Sequence, residues 1–195
     1  MGRGTQRSQH YKKLYRVCQY LNGTKTLGIT LSPSSLQLYA WIDASYNVHT
    51  DAKGHSGVIV SLGREGGLIT VKSKKQKLTT KSSTESELVG MYTGIPPIEY
   101  ARAYMEERGY NQMATTIAQD NQSTIRLAEK GSGNHNRTKH INLRYFYITE
   151  LIDNGKVQLQ YQPTKNMLSD LLTKPLNGKA SIQLRNRLLN ETHKS

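Results

Sequence analysis

The chain has 195 residues, 35% of them hydrophobic, and a mean hydropathy of −0.65. That is enough for one domain with a core, and no apolar run approaches the length of a membrane span. The net charge of +13, from 27 basic and 14 acidic residues, points to a polyanionic partner, nucleic acid by default. The charge is clustered: no acidic residue precedes Asp43, and Lys72, Lys74, Lys75, Lys77 and Lys81 fall close together. The single cysteine, Cys18, excludes an internal disulfide and suits a reducing compartment.

In chain order, residues 10–21 place Tyr11, Leu14, Tyr15, Val17, Cys18 and Leu21 on one helical stripe, and "NGTK" turns the chain. The N-terminus "MGRGTQRSQHYKKLY" lacks the apolar stretch of a secretory signal. The chain is therefore expected to be intracellular, cytoplasmic or nuclear, with no membrane and no disulfide partner. "LGITLS" is a short strand candidate, and "SPSS" marks a boundary near residues 32–36. Residues 36–44, 56–63 and 68–74 read as three strands, the last two joined by the hairpin-like "GREGG". A helix follows from about Ser83. Pro96 and Pro97 each lack an amide donor, so a break is expected there, with a second helix to about Arg108. "TTIAQD" (115–120) is a strand, "QSTIRLAEK" a helix, "GSGNHNRT" a loop and "KHINLRYFYITELID" a longer helix. "NGKVQLQYQP" supplies a turn and strand, and "NMLSDLLTK" and "IQLRNRLLN" two helices. A meander followed by alternating elements predicts a mixed sheet with helices on its faces.

Five carboxylates stand out. Asp43 and Asp120 end strands, Asp170 lies in a helix, and Glu85 and Glu87 sit near the start of another. Two divalent cations about 4 Å apart need several carboxylates pointing together, and hard Mg²⁺ prefers such oxygen ligands. Taken singly, each residue has a plainer reading: a strand-end aspartate as a turn former, Asp170 as a solvated helix residue. The two glutamates fit capping boxes, Ser82 with Glu85 or Thr84 with Glu87. Residues two apart lie about 200° apart around a helix, so both glutamates cannot face one metal pair. Periodicity leaves the choice open. His49, Asp51 and His55 have a loose metal-like spacing but read as a polar loop.

The blocks "DASYNVHTDAKGHSG", "KSKKQKLTTKSSTESEL", "QDNQSTIRLAEKG", "RTKHINLRYFYI" and "YQPTKNMLSDLLTKPL" together resemble the ribonuclease H domain of copia-like LTR retrotransposon Pol polyproteins. The resemblance runs in order over residues 10–190. "YRVCQYLNGTKTLGITLS" looks like the segment joining that domain to reverse transcriptase. The resemblance implies an α/β, ribonuclease H-like fold, a five-stranded mixed sheet flanked by helices. It divides the chain into a residual connection segment (1–35), a ribonuclease H-like domain (36–178) and a C-terminal helix and tail (179–195).

It also implies an endoribonuclease that cleaves the RNA strand of RNA–DNA hybrids during retrotransposon reverse transcription, with two Mg²⁺ ions, replaceable by Mn²⁺. The partners implied are the hybrid and the reverse transcriptase portion of the polyprotein. Carried over by motif, the catalytic and metal-binding residues are Asp43, Glu87, Asp120 and Asp170. Glu87 is chosen because the ligand glutamate of such domains directly precedes an apolar helix face, as in "ELVGM". Glu85 then caps. Asp43 would bridge both metals, Asp170 would complete the water-activating site, and Glu87 and Asp120 would hold the metal on the leaving-oxygen side.

Ser83, Thr84 and Gln122 resemble positions facing the minor groove, where 2′-hydroxyls mark RNA. Lys72, Lys74, Lys75, Lys77, Arg137, Lys139 and Arg144 are candidates for phosphate contact, with a solvated basic face as the plainer reading. Some cellular ribonucleases H carry a histidine before the last catalytic helix, whereas "QPTKN" here has none. The alternative function is a catalytically silent nucleic-acid-binding fragment or domesticated remnant of such a polyprotein.

Overall fold

"LYAWIDAS" is apolar at nearly every position, the pattern of a strand covered on both faces. It forms β1 (Leu38–Ser45), every residue of which is buried. The computed structural model describes residues 3–33, 35–130 and 139–190. β1 pairs antiparallel with β2 (His55–Leu62), and β2 with β3 (Leu68–Lys75). On its other side β1 runs parallel to β4 (Thr115–Gln119), which pairs parallel with β5 (Val157–Tyr161). The sheet is therefore mixed, in the order β3-β2-β1-β4-β5. β1 is the strand where antiparallel pairing gives way to parallel.

Alternation along β1 divides the core. Ala40 and Ile42 face α2 (Ser83–Glu106) and α4 (Lys139–Asp153), in a cluster with Val58, Met91, Ile95 and Ile148. Tyr39 and Trp41 face the opposite way and pack with Ile59, Ala118, Met167, Leu168 and Leu184. That second layer comes from a 3₁₀ turn (Thr164–Asn166), α5 (Asp170–Thr173) and α6 (Gly178–Leu189). α3 (Gln122–Lys130) follows β4.

Three expectations are corrected. Pro96 and Pro97 do not break α2, which runs through both. The amides they lack would have served the carbonyls of Tyr92, which is exposed, and Thr93, which is half-buried. Solvent can satisfy those carbonyls, while Met91, Ile95 and Ile98, fully buried, hold both halves of the helix on the sheet. "LGITLS" is not a strand. The Thr30 amide donates to Leu189 O and the Ser32 amide to Gly66 O, so its bonds go to two different elements and no ladder forms. "NMLSDLLTK" holds only one helical turn, α5, because Met167 is extended (ψ 105°). That extension lets the consecutive Met167 and Leu168 both enter the core.

The predicted N-terminal helix is longer than its periodicity indicated. It forms α1 (Arg3–Thr24), and its apolar stripe stays exposed, with Tyr11 at 70% and Leu14 at 59%. No helix among the described residues is long and apolar enough to cross a membrane. The predicted loop at 131–138 lies outside the described residues.

Candidate active site

The parallel register of β1 and β4 puts Tyr39 beside Thr116 and Trp41 beside Ala118. Two residues further on, the same register sets Asp43 beside Asp120, at the carboxyl ends of both strands. This is the switch point of the sheet, where open α/β sheets bind ligands. α2 delivers the third carboxylate. A Cβ on Gly94 would come within 2.4 Å of Ile42 Cδ1, so the glycine lets the helix lie close on β1. A buried polar network bolts down its first turn: Gln76 Nε2 donates to Ser86 O (2.9 Å) and Ser56 Oγ (3.0 Å), and Ser86 Oγ lies 3.1 Å from Gln76 Oε1. Glu87, the next residue, is 5% exposed.

One carboxylate oxygen each of Asp43, Glu87 and Asp120 lie within 4.8 Å of one another. Asp170 stands beside this triad and is linked to it by a cation. Lys174 Nζ donates to Asp170 Oδ1 at 2.7 Å and lies 3.7 Å from Asp43 Oδ1. The Thr173 hydroxyl donates to Asp43 Oδ2. Gln119 Nε2 donates to Glu87 Oε2 (3.2 Å), and Thr164 Oγ1 to Asp120 Oδ2 (2.8 Å). Each member of the triad thus has a polar partner that orients it.

Of the glutamate pair, Glu85 accepts from the Lys81 amide (2.8 Å), and its own amide donates to Ser82 Oγ (3.2 Å). It caps α2, while Glu87 turns to the aspartates. Sequence reasoning missed Gln119, Thr164, Thr173 and Lys174. Lys174 stands one helical turn after Asp170, a spacing that could have signalled an ion pair. Nothing local in "QPTKN" marks Thr164.

Burial, with their mutual charge, favours the protonated forms of Glu87, Asp43 and Asp170. Burial, followed by the charges of Asp43 and Asp120, holds the Glu87 carboxyl well above the usual range. Burial also raises Asp43, against the Thr173 hydrogen bond and the Lys174 charge. Asp170 is pushed up to about 6, mainly by burial and against the Lys174 hydrogen bond. For Lys174, burial alone would favour the neutral amine, but Asp170, Asp43 and Asp120 outweigh it and its pKa rises. Oxygen-only donors, close-set and reluctant to ionise together, fit a hard divalent cation that would relieve their repulsion.

The expected nucleic-acid contacts are scattered around this centre. Ser83 is exposed and Thr84 half-buried in the first turn of α2, and Gln122 is exposed at the start of α3. Lys72, Lys74, Lys75 and Lys77 are exposed on and after β3. Lys75 is paired with Asp51 at 2.7 Å. Lys74, Lys75, Lys77, Tyr92 and Arg144 line one groove of about 180 Å³, with the Arg144 guanidinium 5.0 Å from the Tyr92 ring centroid. Arg137 and the side chain of Lys139 lie outside the described residues. A larger cavity of about 500 Å³ opens beside Asp170, lined among others by Thr164, Lys165 and Arg187. Of His49, Asp51 and His55, the first two lie in the loop expected of them between β1 and β2, and His55 opens β2.

The architecture is that of ribonuclease H domains. LC11-RNase H1, isolated from compost by a metagenomic approach, superposes with a TM-score of 0.53 at 13% identity, covering 71% of this chain and 93% of its own. The structure of LC11-RNase H1 in complex with an RNA/DNA hybrid gives 0.51 at 11%, covering 70% and 94%. In sequence, the chain is a relative of the Pol polyproteins of copia-like plant transposons. It is 33% identical over 171 residues to the retrovirus-related Pol polyprotein from transposon RE2 of Arabidopsis thaliana, covering 86% of this chain. To that from transposon TNT 1-94 of Nicotiana tabacum it is 29% identical over 167 residues, covering 85%. The chain spans 12% of the length of each of these relatives. No family model matches it.

Proposed function

We propose that the chain is a ribonuclease H that hydrolyses the RNA strand of RNA–DNA hybrids with Mg²⁺, serving retrotransposon reverse transcription beside a reverse transcriptase portion. The observation that carries this reading is the triad of Asp43, Glu87 and Asp120, the first two buried and the third half-buried, at the sheet's switch point. On the same reading residues 1–35 are the connection to reverse transcriptase, 36–178 the nuclease domain and 179–195 its C-terminal helix and tail.

Asp43, Glu87 and Asp120, with Asp170 alongside, would hold two divalent cations, for which Mn²⁺ could substitute. Such cations, when bound, lower the pKa of a water and stabilise the leaving oxygen of a phosphodiester. The chain's own work is orientation and charge. Gln119, Thr164 and Thr173 fix the carboxylate rotamers toward one point. Lys174 keeps Asp170 and Asp43 compatible in the metal-free protein. The exposed lysines of β3 attract the polyanion, and Ser83, Thr84 and Gln122 border the site where 2′-hydroxyls would be read.

A labelled hybrid incubated with Mg²⁺, beside the Asp43→Asn variant, tests the reading. Cleavage is expected only from the unmodified chain. Binding without cleavage would instead favour the silent nucleic-acid-binding module, and equal cleavage by both proteins would remove Asp43 from the site. Titration with Mg²⁺ followed by thermal unfolding gives an independent readout: a rise in Tm is expected, and Asp43→Asn should lose it.

A further inference from the structure

On the sheet face that carries α5, a histidine pair takes no part in the proposed chemistry. His49 Nε2 lies 3.0 Å from His55 Nδ1, and His55 Nε2 lies 2.8 Å from Ser73 Oγ. Ser73 Oγ donates to Leu172 O at 2.8 Å. The imidazole centroids are 5.3 Å apart, which places the two rings head-on along the line between their facing nitrogens. That is the geometry of a hydrogen bond. Two lone pairs converging on one metal ion would bring the rings in at an angle.

The proton directions follow from the far end. A carbonyl only accepts, so the single Ser73 hydroxyl hydrogen goes to Leu172 O, and Ser73 Oγ must accept from His55 Nε2–H. In the neutral imidazole Nδ1 then carries the lone pair and accepts from His49 Nε2–H. Burial, and then the charge of His49, disfavour the protonated form of His55, which agrees with this arrangement. The chain runs one way, from His49 to the α5 carbonyl.

α5 has a single turn, so its last carbonyls need partners from outside the helix. Two serines of the sheet supply them: Ser73 from β3 to Leu172 O, and Ser45 from β1 to Thr173 O at 2.8 Å. Between them lies Gly57, where a Cβ would fall within 2.8 Å of Leu172 Cβ and 2.9 Å of Ser169 O. α5 begins at Asp170 and ends at Thr173, the residue whose hydroxyl meets Asp43.

We propose that His55 is a positioning residue of the active site, acting through Ser73: by holding the serine hydroxyl on Leu172 O, it seats α5 so that Asp170 and Thr173 meet Asp43. Without the imidazole donor the exposed Ser73 hydroxyl is free to turn to water. The kinetic consequence rests on the ribonuclease reading above; the hydrogen-bond chain does not.

Two measurements on the full chain test this. In nitrogen-15 NMR, His55 is expected as the Nε2–H tautomer, with signals moved by Ser73→Ala and unmoved by Asp43→Asn. An Nδ1–H tautomer would overturn the proposal. In hybrid cleavage, His55→Leu and Ser73→Ala should each lower kcat about tenfold, the size usual for residues that orient ligands, with KM unchanged. The double variant should lose no more than either single one, and His55→Gln, whose amide can donate to Ser73, should restore most of the rate. Full kcat in Ser73→Ala, additive losses, or a change confined to KM would sink the idea. The unmodified chain, run alongside Asp43→Asn, separates the two failures: if it does not cleave the hybrid, the nuclease reading fails and the NMR result still decides the hydrogen-bond chain.

Discussion

At the scale of residues, the pair Glu85 and Glu87 shows how two like side chains acquire different work. Glu85 closes a helix cap in solvent, whereas Glu87 is buried against two aspartates. Glu87→Gln is expected to lower cleavage about 100-fold or more, and Glu85→Gln to leave the rate unchanged and lower Tm slightly, since a cap is worth about 1 kcal/mol. Hybrid cleavage and a thermal melt of both variants check this. Asp170 makes a second prediction. Its carboxyl is raised from 3.8 to about 6 in the folded chain, so between those values the native state holds the proton that the unfolded chain has lost. The stability it contributes is complete below about pH 3.8 and is lost as pH rises through about 6. Asp43 and Glu87, also raised, act in the same direction. Calorimetry of the metal-free protein should therefore show Tm falling as pH rises through about 6, a fall that Asp170→Asn flattens and added Mg²⁺ offsets.

At the scale of elements, two glycines set how closely helices approach the sheet. Gly94 lets α2 lie on Ile42, and Gly57 lets α5 lie on β2. At Gly57 the atoms in the way are Leu172 Cβ, Thr173 Cγ2 and the carbonyl oxygen of Ser169 just before α5, so Gly57→Ala must move the element that carries Asp170. Cleavage is expected to fall about 100-fold, the cost of a displacement of about 1 Å at a reacting centre, in a protein that still gives a native circular-dichroism spectrum. Gly94→Ala meets the end of a buried isoleucine, and overpacking there should cost about 1–3 kcal/mol, read by denaturant unfolding. Element existence was largely legible in the sequence. The apolar run of β2, the turn at "GREGG" and the amphipathic α3 all formed where the pattern put them. What was not legible depended on a neighbour: the prolines of α2 are carried by the sheet beneath them, and "LGITLS" found no strand to pair with.

At the scale of the whole molecule, the acidic centre and the basic surface are separated by the sheet's geometry. Carboxylates collect at the carboxyl ends of β1 and β4, while Lys72, Lys74 and Lys77 stay exposed along β3 and just beyond it. The affinity for a hybrid should be steeply salt-dependent, and replacing these three lysines by alanine should flatten the plot of log K against log salt by about one for each lysine that meets a phosphate. α1 exposes its apolar stripe, with Tyr11, Leu14, Tyr15, Val17 and Leu21 all exposed. Removing residues 1–26 should leave Tm unchanged, whereas removing residues through 33 should lower it, because Thr30 and Ser32 bond to α6 and to the β2–β3 turn. By itself the sequence determined the order and type of most elements, the excess positive charge and five candidate carboxylates, because periodicity, turn residues and motif blocks are local properties. A motif resemblance selected Glu87, but only the tertiary structure brought it to Asp43 and Asp120, linked Asp170 to them through Lys174, and joined His55 through Ser73 to the α5 carbonyl of Leu172. Those outcomes depend on strand register and on the closeness of helix to sheet, which no local stretch of sequence contains.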